Sequence, residues 1–348
     1  MQERQEKKHS FLAQQGWEQS TCIPVKGDAS FRKYDRLILG NKRAILMDAP
    51  PGKEDIRPFM HIGDFLVQHQ FSAPEMYASD VENGFLLLED FGDDVYGKVL
   101  AGDSPISAQC TEKELYAHAV DVLAALHKVE APANVAAYSL ATLLQEASML
   151  VMWYLPALMQ DQSRLEDAKE EYMQAWKHVL LQMPDLPKVL LLRDYHSPNL
   201  MWLPKREGIR KVGLLDFQDA VIGSPAYDMV SLLEDARRDV DTAIVQPLLE
   251  RYFDAMPAMD KEAFLTAYAI LGAQRNCKVV GFLSKKLYFE NNANYLSLLP
   301  RMWRYLEIDF SHPATWPIKA WIDRHIPEGS RDIETLCARH KLAMQAQA

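Results

Sequence analysis

Three oxygen-bearing side chains stand at the ends of short apolar runs in the segment LLLRDYHSPNLMWLP and in the KVGLLDFQD that follows it. Asp194 closes one run, Asn199 lies five positions later at the start of the next, and Asp216 closes a third, 22 positions beyond Asp194. Pairing of neighbouring strands would carry all three to one rim. Two carboxylates and an amide suit phosphoryl transfer. One carboxylate orients an attacking hydroxyl and takes its proton, while hard oxygen donors hold Mg2+ on the phosphates. Asn and Asp serve Mg2+ better than His or Cys would. We therefore read Asp194 as catalytic base and Asn199 and Asp216 as metal ligands. The D-x4-N spacing alone carries little information, but this is its only occurrence in the chain and it falls between two apolar runs. Taken singly, each Asp is also an ordinary turn residue at a strand end. It is the coincidence of roles that points to chemistry.

The elements that must position these residues follow from periodicity. Before residue 100 the runs Arg32 to Leu39, Arg43 to Met47 and Gly84 to Glu89 read as strands, bounded by Gly, Asp and Pro. Between them Ile56 to His69 has helical spacing, with Phe59, Ile62, Phe65 and Leu66 on one face. Beyond residue 100 the spacing predicts helices over Glu112 to Val129, Leu140 to Tyr154 and Leu165 to Leu181. A β island follows at Val189 to Leu192, Leu200 to Leu203 and Lys211 to Phe217, and the pattern is helical again from Ser224 onward. The fold class is α+β and two-lobed: a small β-rich N-terminal lobe over residues 1–90 that binds nucleotide, and a large helical lobe over 91–348 that carries catalysis and the acceptor site. Leu88 to Gly92 is read as the hinge.

At 348 residues the chain exceeds the size at which one core stops growing. A net charge of −10 argues weakly against nucleic acid as the main partner, because phosphate-backbone binding needs a dense cationic face. No apolar run reaches the length of a membrane span. Four scattered cysteines without a C-x-x-C pair, and a polar N-terminus with no apolar core behind it, place the protein in the cytoplasm.

RDYHSPN resembles the catalytic loop of the aminoglycoside phosphotransferase family, H-G-D-x-H-P-x-N, at Asp194, His196 and Asn199. Leu192 and Arg193 depart from the His-Gly that usually precedes the Asp. LLDFQD is similar to the family's metal-binding segment, with Asp216 as ligand and Gln218 in place of the glycine of protein-kinase D-F-G. The stretch DFQDAVIGSPAYDMVSLLEDARRDV, with GDASFRKYDR, MDAPP, GFLLLEDFGDD and QRNCKVVGFLSKK, resembles a narrower branch, the bacterial anomeric kinases of N-acetylmuramate and N-acetylglucosamine. The resemblance implies a protein-kinase-like fold, ATP and Mg2+ as cofactors, and a role in peptidoglycan sugar recycling. It also implies a phosphate-covering loop at Gly27 and Ser30, with Ser30 and Arg32 as phosphate contacts, and an adenine edge read by the backbone of Glu89 to Phe91. Asp228 would support the catalytic loop, and His196 is read as structural.

One departure matters for the nucleotide. The strand Ala44 to Met47 aligns with the kinase V-A-I-K and puts Met47 where Lys pairs the phosphates. Arg32, Lys33 and Arg43 are the cations near enough in sequence to replace it, Arg32 first. At the acceptor end Gln274, Arg275, Asn276 and Lys278 form a polar cluster in an apolar helix, either facing a sugar or lying on a solvated face. Trp303, Trp316 and Trp321 are sugar-stacking or core residues. The reading is an ATP-dependent kinase of a small-molecule hydroxyl, most simply the anomeric hydroxyl of an N-acetylated amino sugar. The rivals are an aminoglycoside or choline-type amine kinase, which expects an acidic pocket, and a nucleotide-binding pseudokinase, which Met47 suggests.

Overall fold

The computed structural model describes residues 2–25, 31–159 and 161–347. Gly27 and Ser30 lie outside the described residues. The chain divides into two compact units, residues 1–125 with 198–220, and residues 126–197 with 221–348.

The first unit opens with helix α1 (Gln2–Gln14), strands β1 (Thr21–Val25), β2 (Lys33–Leu39) and β3 (Lys42–Asp48), and helix α2 (Arg57–Gln68). Strands β4 (Met76–Asp80) and β5 (Phe85–Leu88) and helices α3 (Tyr96–Ala101) and α4 (Glu112–Leu126) follow. The five strands form one antiparallel sheet in the order β1-β2-β3-β5-β4. Strand alternation gathers Leu37, Ala44, Leu46, Phe85 and Leu87 on one buried face, closed by Phe11 and Leu12 of α1. Patterning foresaw β2, β3, β5, α2 and α4, and missed α1, β1, β4 and α3. α1 buries only Phe11 and Leu12 and shows no apolar stripe. Its position is set by long-range ion pairs, Arg4 Nη2 to Asp48 Oδ1 at 2.6 Å and Lys8 to Asp35. β1 is exposed along its length, so it leaves no period of two to read.

The chain continues in the second unit with α5 (Leu140–Ala147), a π-helical turn at Leu150–Tyr154, α6 (Leu155–Leu158), α7 (Gln162–Leu181) and β6 (Val189–Leu191). It re-enters the first unit for a hairpin of β7 (Leu200–Trp202) and β8 (Val212–Leu214). There the Trp202 N–H donates to Asp94 O at 2.7 Å and Val95 bridges Met201. These bonds tie residues 94–95 to the hairpin, and residue 90, expected as a boundary, lies inside this unit.

The rest of the second unit is β9 (Val221–Gly223), α8 (Ala226–Leu233), α9 (Thr242–Ala255), α10 (Lys261–Glu290), α11 (Leu299–Asp309), α12 (Trp316–His325) and α13 (Ile333–Gln347). β6 and β9 pair antiparallel, with Leu190 opposite Ile222. α10 is the central helix, buried on all sides from Ala269 to Cys277. Two glycines let neighbours approach it closely. A Cβ at Gly272 would lie 2.3 Å from Asp309 Oδ1, and one at Gly281 would lie 2.2 Å from the Met149 carbonyl carbon. Trp303 and Trp321 are buried core residues and Trp316 is exposed. Among the described residues, no helix is long and apolar enough to cross a membrane.

Candidate active site

The segment after β6 turns sharply. Asp194 N–H donates to Leu192 O at 2.8 Å, closing a three-residue turn around Arg193 at φ 66°. A left-handed backbone at a non-glycine residue costs about 1–2 kcal/mol, so something must hold it. Asp228, fully buried near the start of α8, accepts the Leu192 N–H at 2.6 Å and the Arg193 N–H at 2.9 Å. Burial pushes the pKa of Asp228 up to about 7, against the two N–H groups that favour its carboxylate form. The far end of the loop is held by buried Asp235, whose Oδ2 accepts the Ser197 N–H at 3.0 Å and the Ser197 hydroxyl, while Oδ1 takes the Arg237 N–H at 2.8 Å. Asp194 is exposed between these two anchors. Beside it, burial keeps His196 below the ordinary histidine pKa. Asp228 was legible in the sequence as a loop support, whereas Asp235 was missed. Asp235 lies two residues past the end of α8, outside its helical period, so no local spacing marks it.

Asn199 and Asp216 belong to the other unit, where the hairpin brings them together. Leu200 stands opposite Leu214, and the Leu215 N–H donates to Asn199 O at 3.0 Å. Both residues therefore flank the same end of one antiparallel pair. Asp216 has φ 56°, and its Oδ1 accepts Gln218 Nε2 at 3.0 Å. The next residue, Phe217, is fully buried and stacks on Phe59 of α2 at 4.7 Å between centroids. That anchor leaves the Asp216 side chain 44% exposed. Among the described residues, no cluster of three or more His, Cys, Asp or Glu side chains could hold a metal. An amide and a carboxylate are instead a hard two-oxygen set, of the kind that shares Mg2+ with phosphate oxygens. The residues fit the ion.

Met47 is fully buried, opposite Tyr34 and Leu86 in the sheet, and is a core residue. Of the three candidate cations only Arg32 turns toward Asp216, with Nη2 at 3.5 Å from Oδ1 and Nε at 3.7 Å from Glu54 Oε2. Glu54 Oε1 also accepts the Phe31 N–H at 3.2 Å. Lys33 and Arg43 are exposed on the sheet. At the hinge the Glu89 N–H is bonded to Glu75 O at 2.9 Å, so an adenine edge would be read by the other backbone groups of residues 89–91. The Glu89 carboxylate pairs with Arg206, whose guanidinium lies 5.0 Å over the Phe91 ring. Asp90 and Asp93 are gripped by Arg36 at 2.7 and 2.9 Å, which ties the segment after β5 to β2.

Three of the four polar residues of the α10 cluster lie in the core, on no solvated face. Gln274, Arg275 and Asn276 are buried. Gln274 donates to Leu143 O at 2.9 Å, Arg275 to Ser231 Oγ at 3.2 Å, and Asn276 to Glu234 Oε2 at 2.7 Å and Asp309 Oδ2 at 2.9 Å. Burial pushes Glu234 up to about 7 and, with Glu234 facing it, pushes Asp309 well above the usual carboxylate range. Lys278 differs from its neighbours. Its side chain is 27% exposed and pairs with Glu146 Oε1 at 2.8 Å.

An antiparallel five-stranded sheet with a helical remainder is the architecture of the protein-kinase-like phosphotransferases. The profile of the phosphotransferase enzyme family matches residues 21–265, and the chain belongs to that family. An N-acetylmuramate/N-acetylglucosamine kinase of Caulobacter vibrioides is 33% identical over 94% of this chain and 98% of its own length. One of the same name from Pseudomonas aeruginosa is 35% identical over 85% of this chain and 86% of its own. The crystal structure of choline kinase LicA from Streptococcus pneumoniae has the same fold, with a TM-score of 0.61, 12% identity, and coverage of 88% of this chain and 99% of that one.

Proposed function

We propose that this protein is an ATP-dependent sugar kinase that phosphorylates the anomeric hydroxyl of N-acetylmuramate and N-acetylglucosamine. The observation that supports the reaction best is the hairpin, which brings Asn199 and Asp216 to one end five residues after the anchored Asp194 loop. The acceptor is taken from relatives of that name, 33% and 35% identical. In this reading Asp194 orients the anomeric hydroxyl and takes its proton as the oxygen–phosphorus bond forms. Bound Mg2+ would neutralise charge on the transferred phosphate, with Asn199 and Asp216 as its protein ligands. Arg32 takes the place of the missing third-strand lysine, braced by Glu54. That cation favours an active kinase over the pseudokinase alternative, and the names of the relatives favour a sugar over an amine.

The test is ADP release with Mg2+ and a panel of N-acetylmuramate, N-acetylglucosamine, kanamycin and choline. Turnover is expected with the two sugars, giving a sugar 1-phosphate by phosphorus NMR, and Asp194→Ala should slow it by about a thousandfold or more. Equal turnover in the wild type and in Asp194→Ala, or turnover with the amines alone, would sink the reading.

A further inference from the structure

We infer that Arg193, Glu146 and Lys278 form a recognition site for the carboxylate of an acidic acceptor sugar, and so set the preference between N-acetylmuramate and N-acetylglucosamine. The inference rests on the sugar-kinase reading above. Glu146 lies at the end of α5, and its Oε1 receives both Arg193 Nη2 at 2.7 Å and Lys278 Nζ at 2.8 Å, while the Tyr138 hydroxyl donates to Oε2. The Arg193 guanidinium also lies 5.5 Å over the Tyr138 ring. Burial alone would raise the Glu146 pKa. Lys278, Tyr138 and Arg193 outweigh it and hold the group below the ordinary glutamate value. An ionised carboxylate with donors on both oxygens is poorly suited to accept a further proton. It serves as a brace that fixes two cations side by side.

Within the cluster two positive charges face the one negative charge of Glu146, and the neighbouring Asp194 carboxylate also acts on Arg193, which leaves Lys278 as the cation with Glu146 alone against it. An ammonium offers three donors and a guanidinium five. The Lys278 and Arg193 side chains remain 27% and 23% exposed, within reach of a solute. Position links the pair to catalysis, because Arg193 immediately precedes Asp194. The left-handed backbone of Arg193 is held by Asp228, which fixes where the side chain starts. Lys278 is brought in by the close approach of α10 to the turn after α5, which the absent side chain of Gly281 permits. N-acetylmuramate differs from N-acetylglucosamine by a lactyl ether that bears one carboxylate, the chemistry two adjacent cations would read.

The test compares kcat and KM for the two sugars, and for the uncharged amide of N-acetylmuramate, in the wild type, Lys278→Met and Lys278→Arg. Removing one charge-assisted contact should raise KM for N-acetylmuramate about 10- to 100-fold more than KM for N-acetylglucosamine, with kcat for N-acetylmuramate changing far less. The wild type should show a KM penalty for the amide, Lys278→Met should distinguish the acid from the amide much less because Arg193 alone remains, and Lys278→Arg should restore most of the difference. If Lys278→Met weakens both sugars equally, or neither, the recognition site is wrong while the sugar-kinase reading stands. If the wild type phosphorylates neither sugar, that reading fails and this inference falls with it.

Discussion

Asp228→Ala isolates the contribution of loop support to catalysis. The carboxylate is fully buried and accepts two backbone N–H groups, at 2.6 Å from Leu192 and 2.9 Å from Arg193. Alanine leaves both donors without an acceptor, at about 1–3 kcal/mol each. Those two bonds also hold Arg193 at φ 66° against about 1–2 kcal/mol of backbone strain. Part of the loss is recovered, because removing the acid relieves the burial that pushes its pKa up to about 7. A net of roughly 2–4 kcal/mol lost from the native turn, at 1.36 kcal/mol per tenfold, predicts a fall in kcat of about 30- to 1,000-fold. Asp228→Asn should behave almost as badly, since its amide presents a donor to one of two donors. The assay is ADP release, run beside a thermal melt and a nucleotide-binding titration. Nucleotide affinity should hold, because Arg32, Asn199 and Asp216 all belong to the other unit. A kcat within threefold of wild type in a folded Asp228→Ala protein would refute the argument. So would a fall in kcat matched by an equal loss of nucleotide affinity.

Arg32→Ala should raise the nucleotide Kd at least tenfold, as expected for a lost charge-assisted contact, with acceptor KM nearly constant; unchanged binding by calorimetry would mean that another cation serves the phosphates. Met47→Lys should fail to compensate and should destabilise the sheet, because Met47 is fully buried, and a double variant with restored affinity would show otherwise. Gly281→Ala should lower stability by about 1–3 kcal/mol in chemical denaturation, since its Cβ would sit 2.2 Å from the Met149 carbonyl carbon. For pH, native Glu234 and Asp309 keep protons that the unfolded chain releases near pH 4, so they lower stability as pH rises from about 4 through the raised native values, near 7 for Glu234 and well above the usual carboxylate range for Asp309. Asp309→Asn should flatten the fall in melting temperature between pH 5 and pH 8, and an equally steep fall in that variant would show that the pair does not share this burden.

Much of the fold was legible because it repeats over short distances. The apolar stripe of α2, with Phe59, Ile62, Phe65 and Leu66 buried, was visible in the spacing alone, as were the three runs of the β island. The elements that escaped have no such period. β9 is three residues long and exists because Val189 to Leu191 pair with it. The polar cluster of α10 was found as a cluster, but its placement was open, because a polar patch reads the same whether water or buried carboxylates satisfy it.

By itself the sequence determined the chemistry-bearing types and their spacing: Asp194 and Asn199 five apart, Asp216 after an apolar run, and Met47 in place of a lysine. Local pattern sufficed there, since strand ends and turns are built by neighbours in the chain. Only the tertiary structure decided which of Arg32, Lys33 and Arg43 reaches Asp216, that Asp235 as well as Asp228 pins the loop, and that Glu146 gathers Arg193 and Lys278. Each of those contacts joins residues tens to well over a hundred positions apart, as Arg32 and Asp216 are, 184 positions apart. Packing of distant segments makes such contacts, and no local periodicity records which distant partner a side chain will meet.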